Sequence, residues 1–330
     1  MEQRRRILCL VSSINDSHGE YTRCYQGWRH PHQGKEVMPR SHSYHRRHQQ
    51  AVKSTNAWLL TDGLNKGITC VVGHAVNRAQ SIVKVGDRMV SQIHCLGVTP
   101  YGLVKNKSRL VNKDPDQFHS VLYEVDEEGD EGQPTSLNGD HTHFLLVDNG
   151  FRNEKANADY FWKNLVESIQ NKTENNGLNI PVVVLLVGGS LTDLQKCYLA
   201  LIAGIPVVVV MGTGKAADLL SYAKTTHGES IHPGTQIDCL SDQGQDILSK
   251  MPEYLGDLDE KQQQDCQKVV LKCCQLGSKI VVFDIDTDSS MDVFIWEALL
   301  TGNAAMDGKL ELALQWDRAD IAETRIFPSE

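Results

Sequence analysis

The sequence lacks any apolar run long enough to cross a lipid bilayer. Its longest runs, residues 180–187 and 205–211, are far shorter than the roughly 20 residues that a membrane-spanning helix requires. We therefore expect no part of this 330-residue chain to insert into a membrane.

The sequence also lacks an excess of positive charge. It has 33 Lys and Arg residues against 42 Asp and Glu residues, which gives a formal net charge of -9. A surface that binds nucleic acid needs clustered Lys and Arg side chains to offset the phosphate charge. We therefore expect no nucleic-acid partner, and any anion site must be confined to a few residues.

The cysteine spacing of a disulfide or zinc framework is absent. The nine cysteines are scattered, and only Cys273 and Cys274 are adjacent. The histidines His42, His45 and His48 do not match the spacing of a zinc module either. These observations favour reduced thiols, a cytoplasmic location and no bound metal.

What the sequence does contain, from residue 57 onward, is an alternation of short apolar segments with longer amphipathic ones. Several apolar segments are continuous runs of Val, Leu and Ile, typical of parallel strands with helices on both faces. The sequence therefore predicts an α/β fold with a Rossmann-like parallel sheet. The predicted strands are residues 58–61, 93–98, 143–147, 181–187, 206–211 and 279–283. The predicted helices are residues 65–79, 156–170, 191–203, 216–225, 259–275 and 291–300.

Composition divides the chain into three predicted parts. Residues 1–43 are rich in His, Arg, Gln and Ser without sustained periodicity, and we expect them to be irregular or disordered. Residues 44–303 form the predicted α/β domain, in which the acidic, glycine-rich segment 126–138 is expected to be a surface insertion. Residues 304–330 are expected to begin a helical region.

Four predicted strands end in turns that contain glycine. In an open α/β sheet, ligands bind outside the carboxyl ends of the strands, so these turns define one candidate ligand site. Glycine lets the backbone approach a phosphate closely, and the following helix offers unpaired N–H groups. The alternative is that the glycines only permit tight turns. The candidate residues are Thr61, Asp62 and Gly63; Gly97, Thr99, Pro100, Tyr101 and Gly102; Gly188, Gly189 and Ser190; and Gly212, Thr213, Gly214 and Lys215.

The last of these turns is compared with two phosphate-binding motifs. The P-loop pattern fails, because Val209 and Ala216 stand where it needs glycine and a Ser or Thr. The pattern Gly212-x-Gly214-x-x-Ala217 fits a loose dinucleotide fingerprint, although no acidic residue for a ribose is evident. Lys215 is the basic residue expected to contact an anion, and an exposed, solvated lysine is the alternative.

No catalytic or metal-binding set is predicted. A Gly-x-Ser-x-Gly elbow does not occur in the sequence. The run Asp284, Asp286, Asp288 has Ser289 and Ile295 where a calcium-binding EF-hand needs Gly and Glu. We interpret this run as an acidic loop.

Several strand and turn passages resemble, in order, the amino-terminal homology regions of melastatin-type transient receptor potential cation channels. They are residues 57–63, 96–102, 141–150, 188–189 and 212–219, and the most specific passage is 310–322, LELALQWDRADIA. The resemblance covers roughly residues 44–327. It implies a Rossmann-like domain of the SLOG type, which binds nucleotide-related ligands on the cytoplasmic side of a tetrameric, calcium-permeable channel.

The resemblance therefore implies a regulatory and assembly module whose partners are other subunits of a homotetramer. The alternative is a stand-alone or degenerate interaction module with an empty cleft. The family's first strand should precede residue 44, and because no such pattern is found we expect a sheet that lacks one strand.

Substitutions separate the chain from ligand-binding and catalytic relatives. Members that bind adenosine diphosphate ribose have Tyr and Arg where Lys155 and Trp162 stand here, and Arg in place of Lys215. Related phosphoribohydrolases use a glutamate where this chain has Gln195, and an amide cannot act as that acid or base. We therefore expect binding rather than catalysis, with adenosine diphosphate ribose as the ligand that the resemblance suggests and the substitutions disfavour.

Overall fold

The computed structural model describes residues 57–83, 93–112, 120–126, 134–148, 158–170, 180–231, 233–234, 238–288 and 291–302, the backbone of 6–11, and short pieces between 309 and 327. Within these residues, seven strands form one fully parallel sheet with the order β4-β3-β2-β1-β5-β6-β7. The strands are β1 Arg6–Val11, β2 Ala57–Thr61, β3 Cys95–Pro100, β4 His143–Val147, β5 Val182–Val187, β6 Val207–Met211 and β7 Ile280–Asp284. The predicted parallel α/β sheet is confirmed.

Helices connect β2 to β3, β4 to β5, β5 to β6 and β6 to β7 in the βαβ manner, and the last helix follows β7. They are α1 Gly67–Val83, α2 Ala158–Gln170, α3 Leu191–Ile202, α4 Lys215–His227, α5 Asp242–Leu255, α6 Glu260–Gln275 and α7 Met291–Gly302. The six predicted helices are confirmed with ends shifted by a few residues, and α5 is an element that the sequence analysis missed. No described helix is both long enough and apolar enough to span a membrane.

The sheet alternates its side chains between two apolar layers. On one face, Val184, Leu186 and Val209 pack in a cluster with residues of α2 to α6. On the other face, Leu185, Val208 and Val210 pack with residues of α1 and α7. Strand β5 is buried at every position, which explains why it reads as a continuous apolar run.

Strand β1 corrects two expectations about the amino-terminal segment. Residues Arg6–Val11 pair with β2 on one side and β5 on the other, so they form the middle strand of the sheet. The expectation of an irregular segment over residues 1–43 is therefore wrong for these six residues, and so is the expectation of a missing strand. The remaining residues of 1–43 lie outside the described part, and the domain boundaries stay predictions.

The end of the segment 126–138 also differs from the expected surface insertion. Thr135, Ser136, Leu137 and Asn138 are buried, and isolated bridges pair Thr135 with Val104 and Leu137 with Leu64. The composition of this segment indicated solvent exposure, whereas its last residues pack against the turn after β2.

The strand order places a crevice at the carboxyl edge of the sheet. The chain proceeds outward from β1 through β2 and β3 to β4, and then returns to β5 beside β1 before continuing to β6 and β7. Such a reversal is a topological switch point, and ligands of open α/β sheets bind outside the strand ends there. By this rule, a ligand crevice is expected over the ends of β1 and β5.

A candidate ligand site at the carboxyl edge of the sheet

All four glycine-containing turns lie at one edge of the sheet, because every strand is parallel. They fall into two pairs on either side of β1. The turns after β2 and β3 contact one another, and so do the turns after β5 and β6. We refer to these as the β2–β3 half and the β5–β6 half of the site.

In the β2–β3 half, glycine permits two backbones to touch. A Cβ atom on Gly97 would lie 2.6 Å from the Cα atom of Gly63 and 2.8 Å from Cδ1 of Phe144. A Cβ atom on Gly63 would likewise lie 2.7 Å from the Cα atom of Gly97. All three distances are too short for a real Cβ atom, so both positions require glycine for packing between strands, and Gly63 also has a positive φ angle of 73°.

A buried hydrogen-bond network fixes the end of β2. The backbone N–H of Asp140 donates to Oδ1 of Asn138 over 3.1 Å, so this oxygen is an acceptor and must take the Nδ1–H of His141 at 2.9 Å. Nε2 of His141 therefore accepts from the hydroxyl of Thr61, 2.8 Å away. The Thr61 oxygen in turn accepts from the backbone N–H of Gly63 at 2.9 Å.

His141 is held neutral by its surroundings. Burial lowers the pKa of its imidazole to about 4, although the nearby Asp140 acts in the opposite direction. The order of hydroxyl, imidazole and amide is that of a nucleophilic triad. However, the Thr61 hydroxyl lies in a residue that is only 3% exposed, and its oxygen already accepts a hydrogen bond. The network therefore positions the turn rather than presenting a nucleophile.

The same network joins the turn to the buried segment 134–138. The backbone N–H of Asn138 donates to the carbonyl of Gly63, and that of Asn65 donates to the carbonyl of Ser136. The Asn138 side-chain amide also donates to Oδ1 of Asn65 at 2.9 Å. Asn138 and His141 are thus site residues that the sequence analysis missed, although His141 opens one of the passages that resemble the channel family.

Asp62 places a carboxylate at the end of β2. Its Oδ1 accepts from the backbone N–H of Leu64 at 3.1 Å and from the hydroxyl of Thr69 at 2.6 Å. Burial raises the pKa of this carboxyl above its ordinary value, and the hydrogen bond from Thr69 opposes that increase. The Thr99 hydroxyl donates to the Asp62 carbonyl at 2.6 Å, which ties the turns after β2 and β3 together.

The predicted site residues Pro100, Tyr101 and Gly102 lie at the end of β3 and directly after it. Tyr101–Leu103 form a short 3-10 helix after Pro100. The Tyr101 hydroxyl donates to the carbonyl of Lys107 at 3.3 Å, and Nζ of Lys107 donates to the carbonyl of Gly102 at 3.4 Å. Pro100, Tyr101 and Gly102 therefore belong to the turn's own structure.

In the β5–β6 half, hydrogen bonds rather than close packing join the two turns. The hydroxyl of Thr213 donates to the carbonyl of Val210 and accepts from the N–H of Gly188, at 2.6 and 2.9 Å. The N–H groups of Ala216 and Ala217 donate to the carbonyls of Gly189 and Gly188. The first turn of α4 is thereby attached to the loop after β5.

The turn after β5 is closed by an acidic capping box. Oδ2 of Asp193 accepts from the backbone N–H and from the hydroxyl of Ser190, each at 2.8 Å. The carboxylate is buried, whereas Gln195 is exposed on the next turn of α3. Ser190 is therefore the N-cap of α3 and holds an internal carboxylate.

The turn after β6 also encloses a carboxylate of its own. Oδ1 and Oδ2 of Asp218 accept from the N–H groups of Gly212 and Gly214, at 2.7 and 3.0 Å. Both glycines have positive φ angles, 88° and 81°, which only glycine adopts readily. A Cβ atom on Gly214 would meet no atom within 4 Å, so this glycine is required by conformation and not by crowding.

Lys215 begins α4 with a left-handed backbone. Its φ angle is 54°, one of two positive values among non-glycine residues of the described part. Such a conformation costs roughly 1–2 kcal/mol for a residue with a Cβ atom. Strained residues are concentrated at functional sites, and Lys215 is half-buried at the carboxyl edge.

Electrostatics link the two halves across the end of β1. Asp62 belongs to the β2 turn, yet the charge of Lys196 on α3 lowers the pKa of its carboxyl, as does the charge of Lys66. Lys196 therefore lies within electrostatic range of Asp62 on the opposite side of the crevice. Among the described residues, no group of three or more His, Cys, Asp or Glu side chains is arranged to hold a metal ion.

Comparison with known proteins identifies this architecture. A family profile described as "SLOG in TRPM" matches residues 42–273. The mouse transient receptor potential cation channel subfamily M member 1 is 30% identical over 290 residues, which are 84% of this chain and 16% of the channel. Human subfamily M members 7 and 6 are 32% and 29% identical over 84% of this chain, and those matches cover 14% and 13% of the channels.

This chain thus spans only about a seventh of the length of the channels that it matches. The four glycine turns of the predicted resemblance lie within the matched residues, whereas its passage 310–322 lies beyond them. The match covers most of the chain, and the fold is a Rossmann-like parallel sheet. The chain belongs to the SLOG domain family of TRPM cation channels.

Proposed function

We propose that this chain is the cytoplasmic amino-terminal regulatory and assembly module of a TRPM-type, calcium-permeable cation channel, and that it binds a small nucleotide-related ligand at the carboxyl edge. Its partners would be the other subunits of a tetramer. The observation that carries the proposal is the position of both turn pairs around the switch point between β1 and β5.

The residues at this edge support a ligand site. Lys196 and Lys215 are half-buried cations of the β5–β6 half, and the charge of Lys196 acts on the carboxyl of Asp62 in the other half. A desolvated acid within electrostatic range of a cation is a feature of functional sites. Lys215 is the side chain that we expect to contact an anionic or strongly polar group of the ligand.

Calorimetry on the full 330-residue chain tests the binding part. Adenosine, its mono- and diphosphates and adenosine diphosphate ribose would be titrated separately. We expect saturable heat with at least one of them, and a roughly tenfold loss of affinity in Lys215→Ala, since a charged hydrogen bond contributes about 1.5–3 kcal/mol. Lys268→Ala, on the exposed surface of α6, is the control. Absence of heat with every compound would contradict ligand binding.

The assembly part is tested separately. The chain would be co-expressed with a full-length subfamily M member 7 channel, and complexes would be sized after solubilisation. Association with the channel subunit supports the proposal. A chain that migrates alone under conditions where the channel assembles would contradict it.

A second candidate is an interaction module whose crevice holds no ligand. It is favoured by one observation: N–H groups of the turns after β5 and β6 are bonded to the carboxylates of Asp193 and Asp218. This candidate predicts that Lys215→Ala changes neither ligand response nor thermal stability.

A further inference from the structure

Two histidines meet at the amino edge of the sheet, opposite to the candidate ligand site. His94 directly precedes β3, and His143 is the first residue of β4. Leu96 pairs with His143, so the register places His94, two residues before Leu96, on the same face as His143. The centroids of the two imidazole rings lie 5.9 Å apart, and the ring planes are inclined at 47°.

Hydrogen bonds around Thr142 fix the tautomer of His143. The Thr142 hydroxyl donates its single proton to the carbonyl of Cys95 at 2.9 Å. The same oxygen accepts from the backbone N–H of Cys95 at 2.9 Å and lies 2.9 Å from Nδ1 of His143. Nδ1 must therefore carry a proton and donate it. In the neutral ring, Nε2 then has a lone pair, and His143 is exposed to solvent.

His94 is half-buried and lies against Trp58 of β2, with the two ring centroids 4.8 Å apart. Trp58 and Leu96 both pack against the apolar layer on this face of the sheet, so the imidazoles have an apolar support beside them. An imidazole has two nitrogens, and a histidine can therefore keep one hydrogen bond while the other nitrogen binds a metal.

We propose that His94 and His143 form a two-imidazole site for a divalent transition-metal ion of the group Zn²⁺, Cu²⁺ and Ni²⁺. With metal–nitrogen bonds of about 2.0–2.1 Å, two imidazoles on one ion have ring centroids roughly 4.5–6.5 Å apart, and the observed 5.9 Å lies in this range. The Nδ1–H that His143 donates to Thr142 is the kind of hydrogen bond that orients a metal-binding histidine. Imidazole suits these ions, whereas Mg²⁺ and Ca²⁺ prefer oxygen ligands.

Two histidines leave coordination positions for other ligands. Among the described residues, no third His, Cys, Asp or Glu completes the set. The thiol of Cys95, next to His94, is buried in the layer on the other face of the sheet. Burial raises the pKa of this thiol, so it does not supply a thiolate. Water completes the coordination, as it does in open metal sites.

The ion would join the start of β3 to the start of β4. Strand β4 is at the end of the sheet and pairs only with β3 among the described strands. A ligand that binds the folded state alone stabilises that state, so the ion would hold this edge strand in place. The expectation of no bound metal rested on spacing along the chain, whereas strand pairing is what brings these two histidines together.

Titration of zinc chloride into the full 330-residue chain, followed by calorimetry, tests the site. His143→Ala and His94→Ala each remove one imidazole. His227→Ala is the matched control, because it removes an imidazole that is bonded to Asp246 at the far end of α4. Magnesium chloride is the control ion. Thermal unfolding without metal verifies that each variant is folded.

We expect the wild type to bind zinc and not magnesium, and zinc to raise its thermal unfolding midpoint. Loss of an outer hydrogen bond to a metal ligand already lowers metal affinity by about 10- to 100-fold, so loss of either imidazole should lower zinc affinity by at least about tenfold. Thr142→Val, which removes the acceptor for Nδ1–H, should lower it by about tenfold, and Thr142→Ser should retain it. His227→Ala should bind zinc as the wild type does.

Three results would overturn the inference. One is a wild type that binds no zinc. Another is a folded His143→Ala with unchanged zinc affinity, and this variant is decisive because His143 is exposed. The third is an equal loss in His227→Ala, which would mean that scattered histidines bind the ion. None of these results depends on whether a nucleotide binds at the carboxyl edge.

Discussion

The two halves of the carboxyl edge place glycine in different surroundings. In the β2–β3 half, Gly63 and Gly97 touch backbone to backbone, and the surrounding side chains form a buried network around His141. In the β5–β6 half, the N–H groups of Gly212 and Gly214 donate to the Asp218 carboxylate, and the space beside Gly214 is open. Positive φ angles occur in both halves, at Gly63, Gly212 and Gly214. A glycine turn therefore indicates a ligand site only where the structure leaves its surface accessible.

The halves also differ in how their polar groups are satisfied. The β2–β3 half combines the Asp62 carboxylate with a network around His141, a histidine kept uncharged by burial. The β5–β6 half uses the carboxylates of Asp193 and Asp218 on backbone N–H groups. The first half is therefore held mainly by a buried network between side chains, and the second by carboxylates bonded to backbone N–H groups.

The largest expected effect on the free energy of unfolding concerns His141 in the β2–β3 half. Burial lowers its pKa to about 4, whereas its ordinary value is 6.5. Between these values the unfolded chain binds a proton that the folded chain does not, so the free energy of unfolding falls as pH decreases. We expect this residue to contribute a loss of roughly 3 kcal/mol between pH 6.5 and pH 4, at 1.36 kcal/mol per pKa unit.

Urea unfolding at a series of pH values measures this contribution. His141→Gln carries no titrating group at the position and should lack this part of the pH dependence. If the wild type and His141→Gln lose stability in parallel as pH falls, the account of the buried neutral histidine is wrong.

The next effect compares glycines from the two halves. Gly97→Ala places a Cβ atom 2.6 Å from the Cα atom of Gly63, and we expect it to lower the free energy of unfolding by about 2–3 kcal/mol. Gly214→Ala meets no neighbouring atom but must keep φ 81° and ψ −179°, a region that essentially only glycine occupies, so we expect a loss of at least about 1 kcal/mol. Urea unfolding of both variants measures the difference, and equal losses would remove the distinction between the halves.

A smaller effect is expected at Thr213, which joins the turns of the β5–β6 half. Thr213→Val keeps the shape but removes the hydroxyl that bonds Val210 and Gly188. The N–H and carbonyl left without this partner should cost about 1–2 kcal/mol in unfolding free energy. Thr213→Ser retains the hydroxyl and should lose less, and a serine variant as unstable as the valine variant would show that packing, not hydrogen bonding, dominates.

The smallest expected effect is at Asp62, and its sign is opposite. Burial raises the pKa of this carboxyl, so at pH 7 the folded state carries a charge that it accommodates poorly. Asp62→Asn keeps an oxygen for Leu64 and Thr69, and it should raise the free energy of unfolding by less than about 1 kcal/mol at pH 7. The increase should disappear in acid, where the wild-type carboxyl is protonated. A destabilised variant at pH 7 would show that the charge itself is needed by the fold.

A strand that is buried on both faces is the easiest to predict, because its sequence is a continuous apolar run. Strand β5 is buried at every position and appears as a continuous apolar run. Strand β1 has only six residues and is preceded by arginines, so its central place in the sheet was not evident. Helix α5 contains Pro252 and begins near Gly244, and these helix-breaking residues concealed its periodicity.

The sequence predicted where the candidate site lies, but it did not predict the side-chain contacts within it. The glycine turns follow the strands in the sequence, and parallel strands bring them to one edge without further information. The contact between Thr61 and His141 spans 80 residues along the chain, and no local pattern indicates it. Likewise, the occupation of the β6 turn by Asp218 depends on side-chain geometry that spacing alone does not specify.

The most direct test of the central claim is hydrogen exchange of the full chain with and without adenosine. A ligand over the end of β1 must contact both halves, so protection should increase together in the turns after β2 and β5, at residues 61–63 and 188–190. The same titration on Lys215→Ala should show weaker protection at both turns. Protection in one half alone, or only at residues away from the carboxyl edge, would contradict a ligand site between the two halves.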